Sequence, residues 1–104
     1  MTGDRQRISD RRQHEVIEFE HDGLGYVLGI GRFEDGAVAE IFLNTVKSGC
    51  AAETAARDAA IILSLALQHG CPLETIKHAL TKLRDGAPAG PIGHAVDLVA
   101  EYPP

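Results

Sequence analysis

The sequence predicts an α+β domain: a three-stranded antiparallel meander followed by three helices packed on one sheet face. Two Asp-Gly steps, Asp22-Gly23 and Asp35-Gly36, separate three runs rich in β-branched and aromatic residues. Asp-Gly between alternating apolar runs is a strong hairpin signal. Beyond Cys50 the apolar residues recur with helical spacing instead, and strands first with helices after give the α+β class.

The predicted strands cover residues 14–20, 25–33 and 37–46. A two-residue turn at Asp22-Gly23 sets Phe19 opposite Tyr26 and Ile17 opposite Leu28. A second at Asp35-Gly36 sets Ile30 opposite Ile41 and Leu28 opposite Leu43. All of these share one face, and a one-residue slip would scatter them over both, so turns and pattern support each other. The expected core face is Ile17, Phe19, Tyr26, Leu28, Ile30, Ala39, Ile41 and Leu43. The other face carries Val16, Glu18, Glu20, Val27, Gly29, Gly31, Phe33, Val38, Glu40 and Phe42. It is more apolar than a solvated face needs to be. Phe42 opposite Gly29 can shield backbone that the glycine leaves bare, and a subunit contact is the sharper reading.

The first helix is expected over residues 51–69, with Ala52, Ala55, Ala56, Ala59, Ile62, Leu63, Ala66 and Leu67 as its apolar stripe and Glu53 paired with Arg57 elsewhere. From Ala59 to Leu67 it is apolar nearly all round, which predicts a central position. Gly70 supplies a stop. Pro72 suits a first helical position and Glu74 a first turn, so a second helix is expected from Pro72 to about Arg84, with Lys82 and Arg84 at its C-terminal dipole. Residues 85–93 read as a loop. A last helix over about 92–101 would bury Ile92, Ala95, Val96 and Val99 before Pro103.

A chain of 104 residues, 44% hydrophobic and 24% charged, suits one globular core. The domain is expected over residues 14–104. Residues 1–13, with Arg5, Arg7, Arg11 and Arg12 against Asp4 and Asp10, are expected to be a flexible basic arm of charge +2, leaving −7 on the rest of a chain of net charge −5. An acidic body does not attract phosphate backbones, so nucleic-acid binding would fall to the arm alone. No apolar run reaches the roughly 20 residues a membrane helix needs. Two cysteines make no disulfide framework, and a cytoplasmic location is expected.

Several segments, read in order, resemble the C-terminal domain of vitamin B12-dependent ribonucleotide reductases, a member of the TSCPD domain family, here as a small protein of its own. Arg7-Ile-Ser-Asp-Arg11 looks like that domain's arginine-spaced lead-in. Gly31-Arg-Phe-Glu-Asp-Gly36 with Ala39-Glu-Ile-Phe-Leu43 resembles its Tyr-Glu-Asp-Gly and Gly-Glu-Ile-Phe run. Lys47-Ser-Gly49 and Ser64-Leu-Ala-Leu-Gln-His-Gly70-Cys-Pro-Leu-Glu74 resemble its Lys-x-Gly and Ala-Leu-Gln-Tyr-Gly-Val-Pro-Leu-Glu segments. The motif that names the family, Thr-Ser-Cys-Pro-Asp, would fall near Ala87-Pro-Ala-Gly-Pro91, where Gly90 or a neighbour replaces the cysteine. The resemblance implies an accessory or regulatory module linked to deoxyribonucleotide synthesis, with a ribonucleotide reductase or a second copy as partner. The reductase's radical cysteines, nucleotide pocket and cobalamin contacts have no counterpart in this chain.

Cys50 and Cys71 are the weak thiol candidates. Each sits near a predicted helix N-terminus, a setting that activates thiols, but the helix between them holds them about 28 Å apart at about 1.5 Å per residue, which excludes a disulfide. Buried, inert thiols are the simpler reading. His69-Gly70-Cys71 with His94 brought near would give three metal ligands, yet CxxC and HxxxH spacings are missing, and solvated or capping roles suit His14, His21, His69, His78 and His94 better. Gly29-Ile-Gly31 and Gly86-Ala-Pro-Ala-Gly90 lack phosphate-loop context. No catalytic residue, cofactor or metal is therefore expected. The alternatives to an accessory module are a redox or catalytic component of ribonucleoside-diphosphate reduction using Cys50 or Cys71, and nucleic-acid binding through the arm.

Overall fold

The computed structural model describes residues 14–102; the basic arm of the sequence reading lies outside them. Asp22 and Gly23 both take positive φ, 51° and 79°, the pair of angles that matches a two-residue hairpin to right-handed strand twist. This turn joins β1 (His14–His21) to β2 (Leu24–Arg32). Ile17 faces Leu28 and Phe19 faces Tyr26, as predicted. β3 (Val38–Thr45) continues the antiparallel meander in the order β1-β2-β3, with Ile30 opposite Ile41, Leu28 opposite Leu43 and Gly29 opposite Phe42.

The second turn differs from expectation. Its loop is three residues, Glu34-Asp35-Gly36, closed by Phe33 N–H donating to the Ala37 carbonyl (2.8 Å) and Gly36 N–H to that of Phe33 (2.9 Å). Gly36 takes φ 91°, and Asp35 Oδ1 accepts the Ala37 N–H at 2.9 Å. A register shift at Gly31/Arg32, where Arg32 pairs with Val38, absorbs the extra residue; such a loop commonly carries a bulge. The pairing deduced from a two-residue turn therefore survives upstream of the shift, while Val38, expected on the outer face, packs against the core.

The same string makes the same turn again. In Arg84-Asp85-Gly86-Ala87, Leu83 N–H donates to the Ala87 carbonyl (2.8 Å), Gly86 N–H to Leu83 (3.0 Å), and Asp85 Oδ1 accepts the Ala87 N–H (2.9 Å). This miniature hairpin, with a bridge between Lys82 and Pro88, corrects the expected second helix. α2 (Leu73–Ala79) stops well before Arg84 because Leu80 is already extended, with ψ 151°. Pro72 is its N-cap, one position earlier than expected. Lys82 still serves the helix end from outside it, donating from Nζ to the carbonyls of Lys77 (2.8 Å) and Leu80 (3.1 Å).

α1 (Ala51–Gln68) ends where Gly70 was expected to end it. Gly70 takes φ 94°; its N–H donates to Leu67 (3.1 Å) and that of Cys71 to Ala66 (2.9 Å), the paired bonds of a Schellman stop. The helix runs antiparallel along the free edge of β3. Ser64 Oγ accepts the Ile41 N–H (2.8 Å) and donates to the Ile41 carbonyl (3.0 Å), and Gln68 Nε2 donates to Ala39 O at 3.1 Å. Four helical residues advance about 6 Å and two strand residues about 6.8 Å, so side chains at i and i+4 meet alternate strand residues. A bare edge that would otherwise recruit another strand is thereby satisfied. Ser64→Ala should leave both Ile41 groups unmatched and cost about 1–3 kcal/mol, read by urea unfolding with an unchanged slope.

The edge position also overturns the central placement expected for this helix. Only Ala56, Ala60, Leu63, Leu67 and Gln68 are buried, whereas Ile61 (56%), Ile62 (69%) and Leu65 (41%) are exposed. Ala55 and Ile62 of the predicted stripe lie outside the buried one. α3 (Pro91–Glu101) adds Ala95, Val96 and Val99 to the cluster formed by Tyr26, Leu28, Ile30, Ile41 and Leu43. Ile17, Phe19 and Ile92 pack against its border. Fully burying a side chain of this size contributes about 1.5–3 kcal/mol.

Candidate functional site

Cys50 caps the start of α1 and Cys71 follows its stop, so the two thiols stand at opposite ends of one helix. Both are free and half-exposed, which corrects the expectation that they are buried. Cys50 Sγ lies 3.5 Å from Thr45 Oγ1 and 3.5 Å from the Lys47 carbonyl. Cys71 Sγ makes a long contact, 3.9 Å, to the Pro72 carbonyl.

Cys71 lines a cleft of about 460 Å³ together with Arg32, Phe33, Val38, Leu67 and Tyr102. Arg32 and Glu74 are the charged residues of its lining, and no sequence motif marks Arg32 as a site residue. Arg32 is 3% exposed; Nε donates to Glu15 Oε1 (2.6 Å), Nη1 to the Gly36 carbonyl (2.9 Å) and Nη2 to the Tyr102 carbonyl (3.0 Å). One guanidinium thus ties β1, the second turn and the end of α3 together. A signal was present: Arg32 continues the inward face of Leu28 and Ile30, and Glu15 that of Ile17 and Phe19, so opposite charges meet diagonally across the strand pair.

A second cluster joins the first turn to α3. His21 Nδ1 and His94 Nδ1 are 3.0 Å apart, and His21 Nε2 lies 3.2 Å from the Ala89 carbonyl and 3.6 Å from Asp22 Oδ2. The His94 ring sits 4.6 Å from that of Phe19, tilted by 55°. The conjectured meeting of His94 with His69 and Cys71 does not form; His94 meets His21 instead, across 73 positions of sequence that no local spacing could reveal. Ala89 belongs to the segment 87–91 where the family's naming motif would fall. His78 pairs with Glu74 at 3.4 Å, and His14 lies 6.3 Å from Phe42, ring to ring. Among the described residues no group of three or more His, Cys, Asp or Glu is arranged to hold a metal ion.

The glycines of β2 serve packing. A Cβ on Gly31 would meet Glu40 at 2.7 Å and one on Gly29 would touch Phe42 at 3.4 Å, so a phosphate loop is not what they build. Burial holds the Tyr26 phenol above its ordinary value, and negative charge at Cys50 and Asp22 adds to the effect. Apolar surface remains uncovered at Ile61, Ile62 and Leu65 of α1 and at Phe42 (45%) and Val16 (71%) of the outer sheet face. A cleft of about 250 Å³ lined by Phe42, Leu43, Arg57, Ala60 and Ile61 connects the α1 patch to β3.

The TSCPD domain family matches residues 7–101. The vitamin B12-dependent ribonucleotide reductase of Bradyrhizobium diazoefficiens is 35% identical over 89 residues, which is 86% of this chain and 7% of that protein. That of Agrobacterium fabrum is 36% identical over 78 residues, 75% of this chain and 6% of the relative. That of Rhodopirellula baltica is 31% identical over 90 residues, 86% of this chain and 8% of the relative. The chain therefore spans less than a tenth of the length of these relatives. No solved structure matches. Among the described residues no helix is long and apolar enough to cross a membrane.

Proposed function

The chain belongs to the TSCPD domain family, and from that premise we propose that it is a non-catalytic accessory or regulatory module that docks on a protein partner in deoxyribonucleotide synthesis. A ribonucleotide reductase is the first partner and a second copy of the chain the other. The observation that carries this reading is the uncovered apolar surface of α1 at Ile61, Ile62 and Leu65, with Ile61 sharing a cleft with the exposed Phe42, since exposed apolar patches mark interaction sites. The separation of Cys50 from Cys71 by the whole of α1 supports a role without paired-thiol chemistry. In this reading the module works in the cytoplasm and meets protein rather than nucleic acid.

The test is size-exclusion chromatography with light scattering on the purified chain, alone and mixed with a vitamin B12-dependent reductase. Co-elution with the reductase, or a dimeric mass alone, is expected. A monomeric mass together with no reductase retained would remove the proposal. A Cys50→Ser/Cys71→Ser double variant should co-elute like the parent, whereas loss of reductase turnover in that variant would favour the redox alternative.

A further inference from the structure

We propose that His21 and His94 form a two-histidine binding site for a late first-row divalent cation of the Zn²⁺ class. The sequence reading expected no metal, and the site rests on a juxtaposition that the fold creates. The two Nδ1 atoms are 3.0 Å apart, close to the roughly 3.3 Å that separates two ligands on a tetrahedral ion with bonds of about 2.0–2.1 Å. Imidazole nitrogen is a preferred donor for such ions.

The surroundings of His21 prepare it as a ligand. Its Nε2 faces the Ala89 carbonyl at 3.2 Å and the Asp22 carboxylate at 3.6 Å. Both partners only accept, so Nε2 carries the hydrogen and Nδ1 of the neutral ring presents a lone pair. A backbone carbonyl or carboxylate behind the second nitrogen is the arrangement that orients metal-bound histidines and raises their basicity. The His21 side chain is only 11% exposed, which limits its freedom to turn away.

His94 completes the pair. With no cation present its Nδ1–H donates to His21; when the hydrogen moves to Nε2, its Nδ1 becomes a second ligand. Contact with Phe19 at 4.6 Å and a backbone bond from His94 N–H to the Gly90 carbonyl (3.1 Å) set the ring and its helix start in place. Two protein ligands leave positions for water or for a donor from a partner, since among the described residues no third is in place. Binding would link the β1–β2 turn to the start of α3 and stabilise the fold by mass action.

The test uses the full chain without a histidine tag. Calorimetric titration with Zn²⁺ should show saturable binding of one ion per chain, and thermal unfolding should shift upward with Zn²⁺ concentration. His21→Gln and His94→Gln should each weaken binding about tenfold or more, while Cys50→Ser/Cys71→Ser should not. Imidazole ¹⁵N spectra of the unaltered chain keep the test independent of variant folding: the His21 and His94 Nδ1 signals should move on Zn²⁺ addition, and those of His14, His69 and His78 should stay. Absence of saturable binding, undiminished binding in His94→Gln, or shifts confined to the other histidines would overturn the proposal. None of these readouts depends on a protein partner, so the docking proposal stands or falls separately.

Discussion

Replacing Arg32 by alanine is expected to lower the unfolding free energy by about 3–5 kcal/mol, the cost of breaking a buried ion pair from one side. Arg32 is 3% exposed, and its removal takes the donors from the half-buried Glu15 carboxylate and from the Gly36 and Tyr102 carbonyls. Against a total stability of about 5–15 kcal/mol for a domain, that loss is severe. Arg32→Lys should recover little, because one ammonium on a flexible stem cannot reproduce a planar fork aimed at three acceptors. Arg32→Met combined with Glu15→Leu should be much milder than Arg32→Ala, since a well-packed apolar pair often replaces a buried ion pair at no net cost. Urea unfolding of the single and double variants checks this, and a loss below about 1 kcal/mol for Arg32→Ala would mean that solvent replaces the clamp.

Arg32 also marks the limit of what the apolar pattern makes legible. The inward face of the sheet was legible because Ile17, Phe19, Tyr26, Leu28 and Ile30 alternate with period two and both Asp-Gly steps fix the register. An apolar alternation does not mark charged residues as inward, so Glu15 and Arg32 at its ends stay hidden although they obey the same parity. The turn at Asp35-Gly36 was placed correctly but given the wrong length. A three-residue loop followed by a bulge and a two-residue turn produce the same pairing at Ile30–Ile41 and differ only beside the loop. The end of α2 was missed because helical propensity continues through Leu83, whereas the Arg84-Asp85-Gly86-Ala87 turn, a near copy of Glu34-Asp35-Gly36-Ala37, pulls the preceding residues into extended backbone. The His21–His94 contact had no local signature at all. It exists because the first hairpin turn and the start of α3 come together only in the folded chain.

The position of α1 departs furthest from the sequence expectation, and its outward face is where substitution should act most strongly on binding. A run apolar on nearly every side normally means burial on every side, yet α1 lies on the rim of a three-stranded sheet, where Ser64 and Gln68 bond the edge of β3 and Ile61, Ile62 and Leu65 face outward. Single exposed apolar residues are ordinary; three on one helix, of which Ile61 shares a cleft with Phe42, call for a partner. Ile62→Glu with Leu65→Lys should therefore change stability by no more than about 0.5 kcal/mol and weaken association with the reductase, or with a second copy, about 30-fold or more, the loss of about 2 kcal/mol typical of interface anchors. Thr75→Glu on the exposed side of α2 serves as the control and should leave binding intact. If the α1 variant binds as the parent does while Phe42→Glu abolishes binding, the docking surface is the outer sheet face. If neither substitution weakens binding, the apolar rim is not what the partner reads.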